Sequence, residues 1–186
     1  DPLVLQAHFL LAVQNIVSRR LDPLETGVVS LATIHGGTAA NVIPETVKIT
    51  GTMRSFTPET RQLLQNEMRR ACKVVEALGG TVDLKITEWY PATINDETAT
   101  NVAFGALREL LGDEQVFEAV PRMAGEDFSY MLQEVPGCFM GLGVQGADWD
   151  RPYHVHTSTF RVDESALPIG TASLVAAAVE WMQQKA

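Results

Sequence analysis

Apolar residues near the start of the chain recur at helical spacing. Val4, Leu5, His8 or Phe9, Leu11, Ala12, Ile16 and Val17 fall on one stripe of a helix over 3–19, and Arg19 and Arg20 suit the negative end of its dipole. Asp22-Pro23 ends that helix. The β-branched run 27–34 is short enough for a strand, closed by His35-Gly36-Gly37. Residues 46–54 alternate, with Val47, Ile49 and Met53 on one face and Thr46, Lys48, Thr50, Thr52 and Arg54 on the other. Thr57 followed by Pro58 starts a second helix, whose stripe of Leu64, Met68, Ala71, Val75 and Leu78 stops at Gly79-Gly80. A third strand is expected over 81–88, with Val82, Leu84 and Ile86 on its apolar face.

After Trp89-Tyr90-Pro91 the pattern changes. Asn95 or Asp96 caps a helix through Val102, Phe104, Leu107, Leu110 and Leu111, closed by Gly112. A short strand near Val116-Phe117, a helix over 126–134, a fully buried strand over 137–144 and a long alanine-rich helix over 165–184 follow. Pro168 falls in the opening turns of the last helix, where it is tolerated. Helices alternating with apolar strands indicate an α/β layer, so two domains are expected, 1–89 and 90–186. The first has the order α-β-β-α-β. It lacks only a leading strand to be the split β-α-β unit of a ferredoxin-like sandwich, and that strand is expected upstream of Asp1.

Composition narrows the function classes. The 186 residues are 46% hydrophobic and 20% charged, enough for one large or two small cores. A net charge of -9 argues against a sequence-independent nucleic-acid binder, which needs cations to displace counterions from phosphates. No run approaches the roughly 18 apolar residues of a membrane helix. Cys72 and Cys138 read as buried free thiols, which points to a reducing compartment and a cytoplasmic protein. The chain begins at Asp1-Pro2 without a methionine, as though cut from something longer.

Candidate chemistry centres on the polar stretch Tyr153-His154-Val155-His156. Neutral imidazoles are good metal donors, and alternate residues of an extended segment share a side, so His154 and His156 could face one ion. An HxH pair alone is a weak signal, which two exposed loop histidines explain more simply, and a zinc or manganese site needs three or more donors. His35, beside two glycines, could approach a ligand or simply close a turn. Asn41 reads as a turn residue supporting its own backbone. The guanidinium of Arg54 could clamp a carboxylate in bidentate fashion or sit solvated on the sheet face. Glu126-Asp127 suits a helix start. No GxSxG elbow and no GxxxxGK[ST] loop is present.

Taken together, four motifs in order carry a resemblance. They are His35-Gly-Gly-Thr-Ala-Ala-Asn41-Val-Ile-Pro44, Gly51-Thr-Met-Arg54, Met123-Ala-Gly-Glu126-Asp127-Phe128, and His156 ahead of Phe160 and Asp163-Glu164-Ser-Ala-Leu-Pro168. The chain resembles the family of aminoacylase, hippurate hydrolase, auxin-conjugate amidohydrolase and succinyl-diaminopimelate desuccinylase, and within it the hippurate and auxin-amide branch. The resemblance implies an α/β catalytic domain with a pair of divalent metals, zinc or manganese, interrupted by a ferredoxin-like lid that also forms a homodimer. Residues 1–89 match that lid without its first strand, and 90–186 match the C-terminal part of the catalytic domain. His156 matches the metal-ligand histidine of that part, while His154 is additional to the motif. Asn41 and Arg54 match lid residues that handle the substrate carboxylate or amide, and His35 occupies a variable position beside them. The general base and remaining ligands belong to an N-terminal half that this chain does not contain. The implied activity is metal-assisted hydrolysis of an N-acyl amino acid or a similar peptide-like small molecule. The alternative is a non-catalytic dimerisation or small-ligand module.

Overall fold

The computed structural model describes residues 1–184. They form two compact units. The first comprises Asp1–Ala92 with Arg122–Glu126, and the second Thr93–Pro121 with the chain from Asp127 onward.

In the first unit, helix α1 (Pro2–Asn15) is capped by Asp1, whose carboxylate accepts from the Leu3 N–H at 2.9 Å, and it runs on as a π-helical turn over Ile16–Arg20. The side it buries differs from the expected stripe. Phe9, Val13 and Ile16 are inside, while Val4 and Leu11 are 54% and 67% exposed. The helix is apolar nearly all round, so its sequence alone does not mark the core side.

Strands β1 (Gly27–His35) and β2 (Lys48–Ser55) pair antiparallel, from Gly27 opposite Ser55 to His35 opposite Lys48. The register slips between Leu31 and Thr33, leaving Ala32 as the extra residue of a bulge. A Cβ on Gly51 would collide with the Ser30 carbonyl and Leu31, which is why the strand crossing the bulge carries a glycine there. Before the bulge Val29 and Leu31 face the core. After it Ile34, though 45% exposed, takes the same face as its partner Ile49, and Thr33 and His35 turn to the other.

Helix α2 (Pro58–Ala77) begins at Thr57, whose hydroxyl accepts from the Thr60 N–H at 3.1 Å. It ends in a Schellman turn. Gly79 takes φ 83°, its N–H reaches the Glu76 carbonyl, and the Gly80 N–H reaches the Val75 carbonyl. Leu64, Met68, Ala71, Cys72 and Val75 pack with Phe9, Val13 and Ile16 into the core, with Val29, Leu31, Ile49 and Met53 of the sheet against it. Leu78, expected on this stripe, is 51% exposed beyond the helix end.

The third strand expected over 81–88 does not form. Its alternation is realised, with Val82, Leu84 and Ile86 half-buried and the residues between them exposed, and Val82 and Leu84 touch the core. Yet among the described residues it joins no ladder, and the sheet has two strands. Side chains of α2 hold its end instead, with Gln65 Nε2 donating to Glu88 Oε1 at 2.7 Å and Arg61 Nη2 to the Tyr90 carbonyl at 2.8 Å.

In the second unit, helix α3 (Glu97–Leu111) is capped by Asp96, which accepts from the Ala99 N–H at 2.8 Å, and stops at Gly112 with φ 92°. Helix α4 spans Phe128–Glu134, starting two residues later than expected. Helix α5 (Ala166–Gln184) packs on α3. Neither strand expected here forms. A 3-10 turn over Asp113–Gln115 precedes Val116, and 137–144 has no regular structure and is partly exposed, Phe139 being 45% exposed. The Asn95 side chain stands in for a neighbouring strand at one point, donating to the Phe139 carbonyl at 3.1 Å and accepting from its N–H at 2.8 Å. Cys72 is buried as expected, whereas Cys138 is only half-buried, and both are free.

Glu67 on α2 lies between two arginines, Arg70 Nε at 2.7 Å and Arg20 Nε at 3.2 Å from Oε2, with its side chain 13% exposed. Burial alone would raise its pKa. Hydrogen bonds and charge from Arg70 and Arg20 outweigh that and hold it below the ordinary 4.5. A lowered folded pKa gives stability that is complete above the unfolded value and lost as pH falls through the folded one. Glu67→Gln is therefore expected to be less stable than wild type at neutral pH, the gap closing in acid. Urea unfolding across a pH series checks this, and a gap independent of pH contradicts it.

Candidate metal and substrate residues

The histidine loop lies in the second unit. Its neck is closed by one backbone bond, Asp163 N–H to the Val144 carbonyl at 2.8 Å. Asp163 also starts α5, accepting from the Ser165 N–H at 3.0 Å. Hydrogen bonds from the Ser165 side chain and backbone keep its carboxyl below the ordinary carboxylate value. Just inside the neck, the Arg161 guanidinium carbon lies 4.2 Å from the centre of the Trp149 ring and 4.1 Å from that of Tyr153. The two rings meet edge to face at 5.5 Å. The Trp149 indole covers Gly146, where a Cβ would come within 2.5 Å of Nε1, and the Tyr153 hydroxyl donates to Asp150 Oδ1 at 2.7 Å. Arg151 approaches the outer side of the cluster, 5.2 Å from the Tyr153 ring centre.

The tip carries both histidines, each exposed. The Thr157 hydroxyl donates to the His154 carbonyl at 2.8 Å, and the Phe160 N–H to the Thr157 carbonyl at 3.2 Å. His156 has φ 63°, the one non-glycine residue with positive φ among those described. That conformation costs on the order of 1 kcal/mol for an L side chain, and residues held in it cluster at functional sites. The expectation that His154 and His156 share a face by strand alternation fails here, because Val155-His156 is a turn and not an extended segment.

The donor chemistry suits His156 as one metal ligand and no more. Among the described residues no three His, Cys, Asp or Glu side chains gather as a metal site would require. A metal held here takes an imidazole from this loop and its other ligands from elsewhere.

The remaining candidates lie in the first unit. His35 ends β1 on the outer face, exposed, opposite Lys48. Asn41 stands in the β1–β2 loop, lining an open cleft of 710 Å³ with Gly36, Gly37, Thr38 and the α1 start. No hydrogen bond uses its side chain among the described residues, so the self-supporting turn is not realised. The bond present there runs from the Val42 N–H to the Ala39 carbonyl at 3.4 Å. Arg54 is exposed on the outer face as the alternation predicts, paired in register with Val28. It has company that sequence reasoning missed. Gly125, distant in the chain, comes so near that a Cβ on it would lie 3.7 Å from Arg54 Nη1 and 3.2 Å from the Tyr90 ring. Lys48 and Arg54 mark opposite ends of β2, so His35 and Arg54 share a face yet stand about 20 Å apart at roughly 3.4 Å per residue. The structure does not bring them together.

The chain is similar to known proteins along most of its length. IAA-amino acid hydrolase ILR1-like 2 of Arabidopsis thaliana is 36% identical over 190 residues, covering 100% of this chain and 43% of that protein. N-acetyldiaminopimelate deacetylase of Leuconostoc mesenteroides is 36% identical over 180 residues, 94% of this chain and 44% of that protein. A solved structure from Bacillus subtilis, described as a dinuclear metal binding peptidase from the M20 family, superposes with a TM-score of 0.73 at 29% identity, over 96% of this chain and 46% of that one. This chain thus spans less than half the length of the relatives it matches. The family profile described as peptidase family M20/M25/M40 matches residues 10–180, so this chain belongs to that family.

Proposed function

We propose that this chain is the C-terminal part of a metal-dependent amidohydrolase that cleaves the amide bond of an N-acyl amino acid. The observation that carries the reading is His156, an exposed imidazole held in a left-handed turn at the tip of a tied loop. Its support is membership of a family in which relatives are named for the hydrolysis or deacetylation of amino acid conjugates and one solved member is described as binding two metals. A divalent metal, zinc or manganese, would supply a water of lowered pKa and polarise the scissile carbonyl. This chain contributes one of its ligands, and the general base belongs to the rest of the protein.

For the substrate, the reading assigns the carboxylate to the planar fork of Arg54. Asn41, with a free amide on the loop, offers both a donor and an acceptor to the substrate amide. His35 lies near that loop and about 20 Å from Arg54 at roughly 3.4 Å per residue. An amino-acid-sized ligand on Arg54 would therefore meet His35 only from a second copy. A homodimer through residues 1–89, read as a ferredoxin-like lid, fits that requirement. The stretch 81–88, with alternating burial and no ladder partner among the described residues, also supports pairing between copies. The two free thiols favour a cytoplasmic setting.

The isolated 186-residue chain is expected to show no turnover of N-acyl amino acids, because one ligand does not hold a hydrolytic metal pair. The complete protein is expected to be active and silenced by a chelator. Chelator-sensitive hydrolysis by the isolated chain would sink the assignment of the missing ligands.

In the complete protein, Arg54→Lys is expected to lower kcat/KM for substrates with a free carboxylate by about 1 to 3 kcal/mol, roughly 5- to 150-fold. Metal content should stay unchanged. An uncharged amide of the same substrate, assayed alongside, should lose little. Equal small losses on both would remove Arg54 from the site.

A further inference from the structure

We infer that Arg161 positions His156, by packing into the corner formed by the Trp149 and Tyr153 rings and so fixing both ends of the turn that carries the histidine. The inference rests on the reading of His156 as a metal ligand. Residues 145–162 contain no helix or strand, and a single backbone bond closes their neck. A loop of that length, pinned at one point, leaves its tip free to wander. The stack adds a second pin deeper in the loop. It joins Trp149 and Tyr153 on the incoming limb to Arg161 on the outgoing limb, with the guanidinium carbon 4.2 and 4.1 Å from the two ring centres. What remains free is only the turn 154–160, and shorter closed loops have less conformational freedom to lose.

That turn needs an external hold. Its internal bonds are few, Thr157 to the His154 carbonyl, Phe160 to the Thr157 carbonyl and a 3.4 Å contact between the Thr157 and Thr159 hydroxyls, and none involves the His156 backbone or ring. His156 nonetheless sits at φ 63°, a conformation that persists only when its surroundings over-determine it. Tyr153 and Arg161 flank the turn on either side, and their stacking sets the distance it must bridge. The stack is itself anchored, through the indole over Gly146 and the Tyr153 hydroxyl on Asp150. With the two rings at 87° to each other, a planar guanidinium in the corner between them can lie against one face and turn its N–H edge to the other, which a lysine ammonium does not do.

The test measures zinc affinity of the complete protein by competition with a chromophoric chelator, alongside thermal unfolding of the metal-free form. Arg161→Ala is expected to weaken zinc binding at least tenfold with little change in metal-free unfolding, and Arg161→Lys to recover less than half of that loss on a logarithmic scale. Tyr153→Leu, which removes one ring and keeps the arginine, should weaken binding several-fold and serves if Arg161→Ala does not fold. Combining Tyr153→Leu with Arg161→Ala should add little to the latter alone. Wild-type zinc affinity in both single variants, with His156→Ala defective, overturns the positioning role and leaves the ligand reading intact. Wild-type affinity in His156→Ala overturns the ligand reading itself. Full rescue by lysine shows that charge and not stacking matters, and overturns the role as stated.

Discussion

The first unit depends on burial of one helix stripe. Leu64, Met68, Ala71, Cys72 and Val75 on α2 are covered by Phe9, Val13 and Ile16 from one direction and by the inner faces of β1 and β2 from another. Each large aliphatic side chain taken fully out of water contributes about 1.5 to 3 kcal/mol, so this contact outweighs a surface ion pair such as Arg61 with Glu88, worth about 0 to 1 kcal/mol. The two-stranded sheet is too small to hold itself together and owes its order to α2. Arg54 and His35 keep their outward positions only because the opposite faces of their strands are fixed on that helix.

The second unit is organised differently. Its helices α3 and α5 pack together, with Ala99, Val102, Ala103 and Ala106 of α3 buried, while α5 keeps Leu174, Val175 and Met182 largely exposed. Between the helices the chain is irregular and held by a few links such as Asn95 on Phe139 and Asp163 on Val144. The chemistry is hung on this irregular part. A ligand on a loop is only as well placed as the few contacts that tie the loop down.

What was legible in the sequence follows from how local each cause is. Helix ends were readable because the cap and the stop signal lie within a turn of them: Thr57 with Pro58, Asp96, Gly79 and Gly112 all act where expected. Strand patterns were readable, but strand pairing was not. Residues 81–88 and 137–144 have the right alternation or apolarity and still form no ladder, because a ladder depends on a neighbour that the segment itself does not encode. The face of α1 was misread because an almost wholly apolar helix carries no contrast. Among the site residues, the outward position of Arg54 came from simple alternation. The shared face of His154 and His156 was lost because the alternation argument presumed an extended backbone where a left-handed turn stands. The Trp149, Tyr153 and Arg161 cluster was missed altogether, although two aromatics and an arginine flanking a histidine pair were visible as a signal.

The bulge between β1 and β2 has a bearing on how this chain is compared with others. Because Ala32 is supernumerary, the residues before and after it keep opposite odd-even rules: Val29 and Leu31 point inward, and Ile34 shares the face of Ile49. An alignment with an unbulged strand that opens no gap at Ala32 would therefore match each of Thr33, Ile34 and His35 to a position of the opposite face. Losing that one residue from the gene would instead regularise the strand: Thr33 would follow Leu31 opposite Thr50, and Ile34 and His35 would keep their partners Ile49 and Lys48 and hence their faces.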